Sequence, residues 1–315
     1  MASRIPDFYI VGHAKCGTTA LTAMVRKHPQ IAMPVKEPRF FSPELRTRYW
    51  RPPSNRRRHP STLDGYRALF EGLAPDLTIG EASTTYLRSS TAAGRIAEVK
   101  PDARIIAILR EPTAFLRSFH LQSLRNYDES QRSFRKAIEL EPLRREGRRM
   151  PRFSQVPSAV FYSDHIRYVE QLERFHAVFP REQVLVLIYD DLRADNEATV
   201  RRVLGFLGVE DSGFTVPRAE LETLKMPRSV ALDQITRLAA YAPRNRALRP
   251  LLKAGARTGV GRLGPVWRRA LYEDRPPADE DFNQELRRRF KGDVQAASEY
   301  LGRDLVSLWG YDELD

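Results

Sequence analysis

One cysteine in 315 residues rules out an intrachain disulfide and any metal cage built from several thiolates. The six histidines show no H-x-x-x-H or similar paired spacing, so no structural or catalytic zinc is expected. No apolar run reaches membrane-spanning length, and the start of the chain lacks the apolar core of a secretion signal; both absences predict a soluble, cytoplasmic protein. Acidic residues are outnumbered by basic ones, 40 against 52, which leaves a formal net charge of +12. That imbalance implies anionic partners but does not choose among nucleotides, acidic glycans, phospholipid surfaces and nucleic acid.

What is present is organised around residues 7–28. Asp7-Phe8-Tyr9-Ile10-Val11 is a short run of β-formers. Gly12-His13-Ala14-Lys15-Cys16-Gly17-Thr18-Thr19 is a loop bounded by glycines, and Leu21, Met24 and Val25 follow at helical spacing. Backbone N–H groups at the start of such a helix are unpaired, with the positive end of the helix dipole behind them, so the loop is built for an anion and a nucleotide phosphate is its natural guest. Gly12 and Gly17 permit positive φ and close approach, Lys15 brings a charge, and Thr18 and Thr19 can donate from their hydroxyls. The spacing is close to G-x-x-x-x-G-K-[ST], but Thr18 follows the second glycine and the lysine sits inside the loop. This argues against the Mg²⁺-triphosphate chemistry of an ATPase or GTPase. Cys16, beside Lys15 and the helix start, is expected to favour thiolate and to react with alkylating reagents. His13 is a further loop residue within reach of a nucleotide.

Further along, residues 46–58 are rich in arginine and proline and read as a surface loop, either solvated or a basic rim that guides an anionic substrate. A short helix is expected from Ser61-Thr62, carrying Tyr66, Leu69 and Phe70, and Leu77 to Tyr86 reads as strand then loop. Ala103–Leu109 is too uniformly apolar for an edge strand and reads as a central parallel one. It ends in Arg110-Glu111-Pro112, and a helix bearing Arg117, Ser118, Phe119 and Leu121 follows. Arg110 can grip a phosphate with its planar fork or pair with Glu111. Residues 142–157 form a second basic stretch; a helix is expected from about Ser163, a buried strand over Gln183–Tyr189, and a helix capped by Asp195. Beyond residue 210 the strand signal vanishes. Strands alternating with helices predict an α/β fold, a P-loop-like parallel sheet flanked by helices with a mainly helical C-terminal third. Size and composition favour a single domain over 1–315, with the α/β core at about 5–210 and a helical or irregular part at about 211–315.

Lys36-Glu37-Pro38-Arg39-Phe40-Phe41, following the first helix, joins the loop and the Arg110-to-Ser118 spacing as a third motif. Together they resemble the sulfotransferases that use 3′-phosphoadenosine 5′-phosphosulfate (PAPS), in particular their bacterial and heparan-type branch. The resemblance covers roughly residues 5–210 and weakly the C-terminus. It implies that Lys15, with Cys16, Gly17, Thr18 and Thr19, holds the 5′-phosphosulfate, that Glu37 is the catalytic base, and that Arg110 and Ser118 bind the 3′-phosphate. It also implies that the C-terminal part closes over adenine, where Lys225 and Arg228 are the candidates. The segment Gly80–Tyr86 is similar to one bordering the active site, which makes Ser83 and Tyr86 substrate-side candidates. Heparan-type members commonly carry a lysine where this chain has Ala82. His120 is a second-ranked base, a packed histidine being its plainer reading.

The activity implied is sulfuryl transfer from PAPS, leaving PAP, to a hydroxyl or amine of a carbohydrate, glycolipid or secondary-metabolite acceptor, without a metal. No nucleic-acid partner is expected. The basic, leucine-bearing stretch Arg244–Trp267 fits a lid, a peripheral contact with the inner face of an anionic membrane, or a solvated flank. The rivals are a P-loop nucleotide kinase, which would need a lysine directly after Gly17, and a non-catalytic binder of anionic polymer or membrane.

Overall fold

The computed structural model describes residues 4–45, 59–152, 154, 156–210, 213–217, 226–228, 272–273 and 277–314. The first elements are β1 (Phe8–Ile10), α1 (Thr18–Val25) and β2 (Ile31–Ala32), followed by α2 (Leu63–Arg67), β3 (Thr78–Ala82), α3 (Ala92–Val99) and β4 (Arg104–Leu109). Then come α4 (Pro112–Asn126), α5 (Phe134–Glu139), α6 (Glu141–Arg145), α7 (Tyr168–His176), β5 (Val184–Ile188), α8 (Tyr189–Ala194) and α9 (Asn196–Leu207). The described C-terminal elements are β6 (Met226–Pro227), β7 (Tyr272–Glu273), α10 (Glu280–Leu301) and α11 (Leu305–Leu308). No helix among the described residues is long and apolar enough to cross a membrane.

The main sheet runs β2-β3-β1-β4-β5, and every neighbouring pair is parallel. All of β1 and Ile105–Leu109 of β4 are fully buried, as a strand covered by helices on both faces requires. The outer strands β2 and β5 are partly exposed. Because β1 leads to β2 and β3 on one side and the chain then crosses to β4 on the other, the winding reverses next to β1. Ligands of such sheets bind there, beyond the C-terminal strand ends.

The chain divides into two compact units. The first, Met1–Leu116 with Phe161–Glu222 and Asp281–Asp315, contains the sheet. Within it α10 buries Phe282, Leu286, Phe290, Val294 and Ala297 at helical spacing. Arg303 forks onto Asp191 (Nη2 to Oδ1 2.7 Å), Trp309 Nε1 donates to Asp190 at 3.0 Å, and the Tyr311 hydroxyl donates to Glu111 at 2.6 Å. These contacts tie the C-terminal segment to the ends of β4 and β5.

The second unit, Arg117–Val160 with Thr223–Glu280, contains most of α4 and the antiparallel pair β6–β7. Two-residue strands leave too little period for a sequence pattern, so this pair was not expected. Arg144, inside the second basic stretch, is 1% exposed and forks onto the fully buried Glu129 with two 2.7 Å bonds.

Other boundaries also moved. Asp195 does cap α9, accepting from Ala198 N at 2.9 Å. The helix expected from Ser163 begins at Tyr168 after a 3-10 turn over Tyr162–His165. The strand expected through Tyr189 stops at Ile188, and Tyr189 opens α8. Residues 46–58, Lys225 and Arg244–Trp267 lie outside the described residues.

Candidate active site

The loop between β1 and α1 is held by its neighbours on both sides. A Cβ on Gly12 would lie 2.9 Å from the backbone N and O of Ile108, so glycine is needed for close approach to β4 rather than for a positive φ. Gly17 does need its freedom: φ is 88°, and a Cβ there would meet the Tyr189 ring and Leu192 at 2.9 Å. Lys15 adopts φ 74° in the same loop. Gly17 opens α1 with no side-chain cap and no acidic residue in the first turn, so the first amides of the helix meet no competing carboxylate.

Arg110, just past β4, closes the loop from one side. Its Nη1 donates to the Lys15 carbonyl at 2.8 Å, its guanidinium lies 4.4 Å above the Tyr189 ring, and its own carbonyl accepts from the Tyr168 hydroxyl at 2.7 Å. The alternative partner, Glu111, is engaged elsewhere: its carboxylate caps α4 through Thr113 N (3.0 Å) and Ala114 N (2.5 Å).

Glu37 stands on the other side. Lys36 forms a parallel bridge with Ala82, and Glu37 N donates to Ala82 O at 2.8 Å, which extends β3 at its C-terminal end. Glu37 has φ 60° and Arg39 φ 52°, and these turns aim the carboxylate back over the sheet edge. It accepts from Thr84 Oγ1 at 2.9 Å, Thr84 N at 3.3 Å and Arg39 Nε at 3.1 Å, with the side chain 24% exposed. Lys36 reaches the first turn of α1, where its ammonium donates to Thr19 Oγ1. Strands are spaced by about 4.8 Å, so β3 and β4, on either side of β1, lie about 10 Å apart. Glu37 therefore extends the β3 flank of the anion loop, and Arg110 closes the β4 flank.

Beneath Glu37 lies a buried cluster. Glu81 is fully buried, and its Oε2 accepts from the hydroxyls of Tyr66 (2.6 Å) and Tyr86 (3.1 Å). Burial pushes its carboxyl up to about 7, against the pull of bonds from Ser83, Tyr66 and Tyr86 and with a contribution from the Glu37 charge. Ser83 and Tyr86 are therefore not substrate-side groups. Both are 0% exposed; Ser83 Oγ accepts from Arg39 N at 3.1 Å, and the Tyr86 hydroxyl accepts from Phe41 N at 3.3 Å. They hold the segment that carries Glu37.

Three further expectations change. The Cys16 thiol is fully buried and pushed up to about 12 by desolvation, which outweighs the nearby Arg110 and Lys15 charges, so it is not a reactive thiolate. His13 is 2% exposed, bonded to Gln171 Oε1 at 2.7 Å and surrounded by the Phe115, His165 and Tyr168 rings; burial lowers it to about 4 and keeps it neutral. It packs under the loop. His120 is 4% exposed and bonded to Gln131 O at 2.8 Å beside Phe134, the arrangement of a packed histidine. In the second unit, Ser118 lies half-buried on α4 and Arg228 is exposed just after β6.

Lys15, Gly17, Thr18, Thr19, Glu37 and Arg110 thus all belong to the first unit, at or beyond the C-terminal edge of its sheet. Sequence reasoning missed the side chains that position them: Thr84 and Arg39 on Glu37, Tyr189 under Arg110, and Lys36 on Thr19. Tyr189 had a usable signal, as the residue closing the strand read over Gln183–Tyr189, at the ligand-binding edge. The other contacts depend on turns with positive φ that have no pattern in the sequence.

The parallel α/β sheet thus carries the β1–α1 loop after its first strand, a fixed arginine on one flank of that loop and a held carboxylate on the other. Residues 6–213 match the model of the sulfotransferase family, and the chain belongs to that family. It is similar to the bifunctional heparan sulfate N-deacetylase/N-sulfotransferase 3 of Homo sapiens, with 30% identity over 65% of this chain and 22% of that one. It is also similar to the heparan sulfate glucosamine 3-O-sulfotransferase 3B1 of Mus musculus, with 26% identity over 66% of this chain and 47% of that one. The chain thus spans less than half the length of these two relatives. Among solved structures, a sulfotransferase from Alicyclobacillus acidocaldarius superposes with a TM-score of 0.59 at 30% identity, covering 78% of this chain and 96% of that one.

Proposed function

We propose that the chain transfers a sulfuryl group from PAPS to a hydroxyl or amine of a carbohydrate, glycolipid or secondary-metabolite acceptor. The observation that carries this reading is the convergence of loop, Arg110 and Glu37 on one sheet edge in the first unit. The amides at the start of α1 and the Lys15 ammonium hold the 5′-phosphate and stabilise the charge that builds on its departing oxygen. Arg110, aligned by Lys15 O and the Tyr189 ring, takes the 3′-phosphate through the remaining donors of its fork. Ser118 is assigned to the same phosphate, and Arg228 to the nucleotide.

Glu37 accepts the proton of the acceptor as its oxygen or nitrogen forms the new bond to sulfur and the sulfur–phosphate oxygen bond breaks; PAP leaves, and Glu37 returns the proton to solvent. Thr84 and Arg39 hold the carboxylate in the orientation this needs. Loop amides and cations balance the donor charge, so the step as drawn calls for no metal. Membership of the family displaces the nucleotide kinase and the non-catalytic binder as readings. Incubating the protein with sulfur-labelled PAPS and a panel of glycans, glycolipids and small phenols, beside Glu37→Gln, tests the reading. Label should move to at least one acceptor with the wild type and not with the variant.

A further inference from the structure

We propose that Lys36 is a second donor-side cation, which contacts the sulfuryl group itself and distinguishes PAPS from PAP. The inference rests on the reading of the loop as a PAPS site. Three geometric facts carry it. Lys36 adjoins Glu37 in sequence and is locked in register by its bridge to Ala82. Its side chain crosses to α1 and donates to Thr19 Oγ1, in the first turn of the phosphate-binding helix. Its ammonium therefore stands between the carboxylate that receives the acceptor proton and the amides that receive the leaving phosphate.

In-line transfer places sulfur in that same interval, because acceptor atom, sulfur and leaving oxygen must line up. An ammonium has three N–H donors, and Thr19 takes one, so two remain for the sulfuryl oxygens. Burial lowers the Lys36 pKa while the neighbouring Glu37 raises it; an anionic group at the ammonium would favour the charged form further. Lys15, by contrast, lies within the loop and serves the phosphate. The two lysines thus divide the donor between them, and only the Lys36 contact is lost when the sulfuryl group has gone.

The experiment compares PAPS with PAP, which needs no acceptor. Dissociation constants for both are measured by calorimetry with wild type, Lys36→Met, Lys36→Gln and Thr19→Ala, each checked for an unchanged melting curve. Lys36→Met should weaken PAPS roughly 10-fold or more, the effect of losing a charge-assisted bond, and PAP less than about 3-fold. Lys36→Gln, which can still bond Thr19 but carries no charge, should behave like Lys36→Met, and Thr19→Ala should show a smaller effect in the same direction. Equal weakening of PAPS and PAP, or no change in either, would overturn the role of Lys36 while leaving the PAPS site intact. Failure of the wild type to bind PAP would overturn both.

Discussion

Arg110 donates from Nη1 to the carbonyl oxygen of Lys15 at 2.8 Å, across 95 residues of sequence, and so fixes the anion loop after β1 to the end of β4. The arginine braces the loop that carries Lys15.

Arg110→Ala should weaken PAP by about 1.5–3 kcal/mol, the range for bonds to charged groups. Arg110→Lys should also bind PAP less tightly than wild type, because it keeps the charge but loses the fork and the stacking on Tyr189. Calorimetry on the three proteins is the check; a lysine variant as good as wild type would reduce Arg110 to a point charge.

Glu37→Gln preserves shape and removes the proton acceptor. Turnover should fall by roughly 10²–10⁴ while PAP affinity stays nearly unchanged. His120→Ala, which removes a packed ring bonded to Gln131 O, should leave turnover largely intact at temperatures well below melting. The reverse ranking of the two variants would reassign the base.

Cys16 should resist iodoacetamide near neutral pH, because its thiol is buried and titrates only at about 12. Intact-mass kinetics should show labelling that accelerates with denaturant rather than slows with PAP. Rapid labelling of the folded protein would contradict the packing of the loop.

Glu81 gives the fold a pH dependence of definite sign. Its folded pKa is raised from 4.5 to about 7, so the stability it contributes is complete below pH 4.5 and is lost as pH rises toward 7. His13 acts oppositely: lowered from 6.5 to about 4, its contribution is present above pH 6.5 and lost as pH falls toward 4. Denaturant titrations of Glu81→Gln and wild type across this range should diverge, the variant gaining relative to wild type as pH rises. Parallel curves would mean that folding does not raise the Glu81 pKa.

In the second unit, removing one member of the Glu129–Arg144 pair leaves a buried charge without its counterion. Glu129→Gln and Arg144→Met should each cost about 3–5 kcal/mol, and the double variant less than the sum. Additive losses in a double-mutant cycle would show that the two side chains do not act as a pair.

The sheet was legible because its central strands are short apolar runs that had to be covered on both faces, as Ile105–Leu109 shows. Lys15 and Arg110 were legible as candidates because each follows a strand at the edge where such sheets bind, whereas Glu37 was legible only through the resemblance carried by the Lys36–Phe41 segment. Burial was not legible. Cys16 and His13 sit in a loop whose glycines and lysine suggested exposure, yet Gly12 and Gly17 let β4 and Tyr189 close over it. Arg144 carried the same charge as its exposed neighbours, and only the fold brings Glu129 to it. The positive-φ turns at Glu37 and Arg39 aim the Glu37 carboxylate, and non-glycine residues in that conformation leave no trace in a pattern of polar and apolar positions.

The central claim is that the loop over residues 12–19, with Arg110, holds the nucleotide of PAPS. Calorimetric titration of the wild type with PAP in the presence of EDTA tests it most directly. The account predicts saturable one-to-one binding in the micromolar range or tighter, with ATP and GTP binding far more weakly. Absence of PAP binding, or binding that appears only when Mg²⁺ is added, would contradict it.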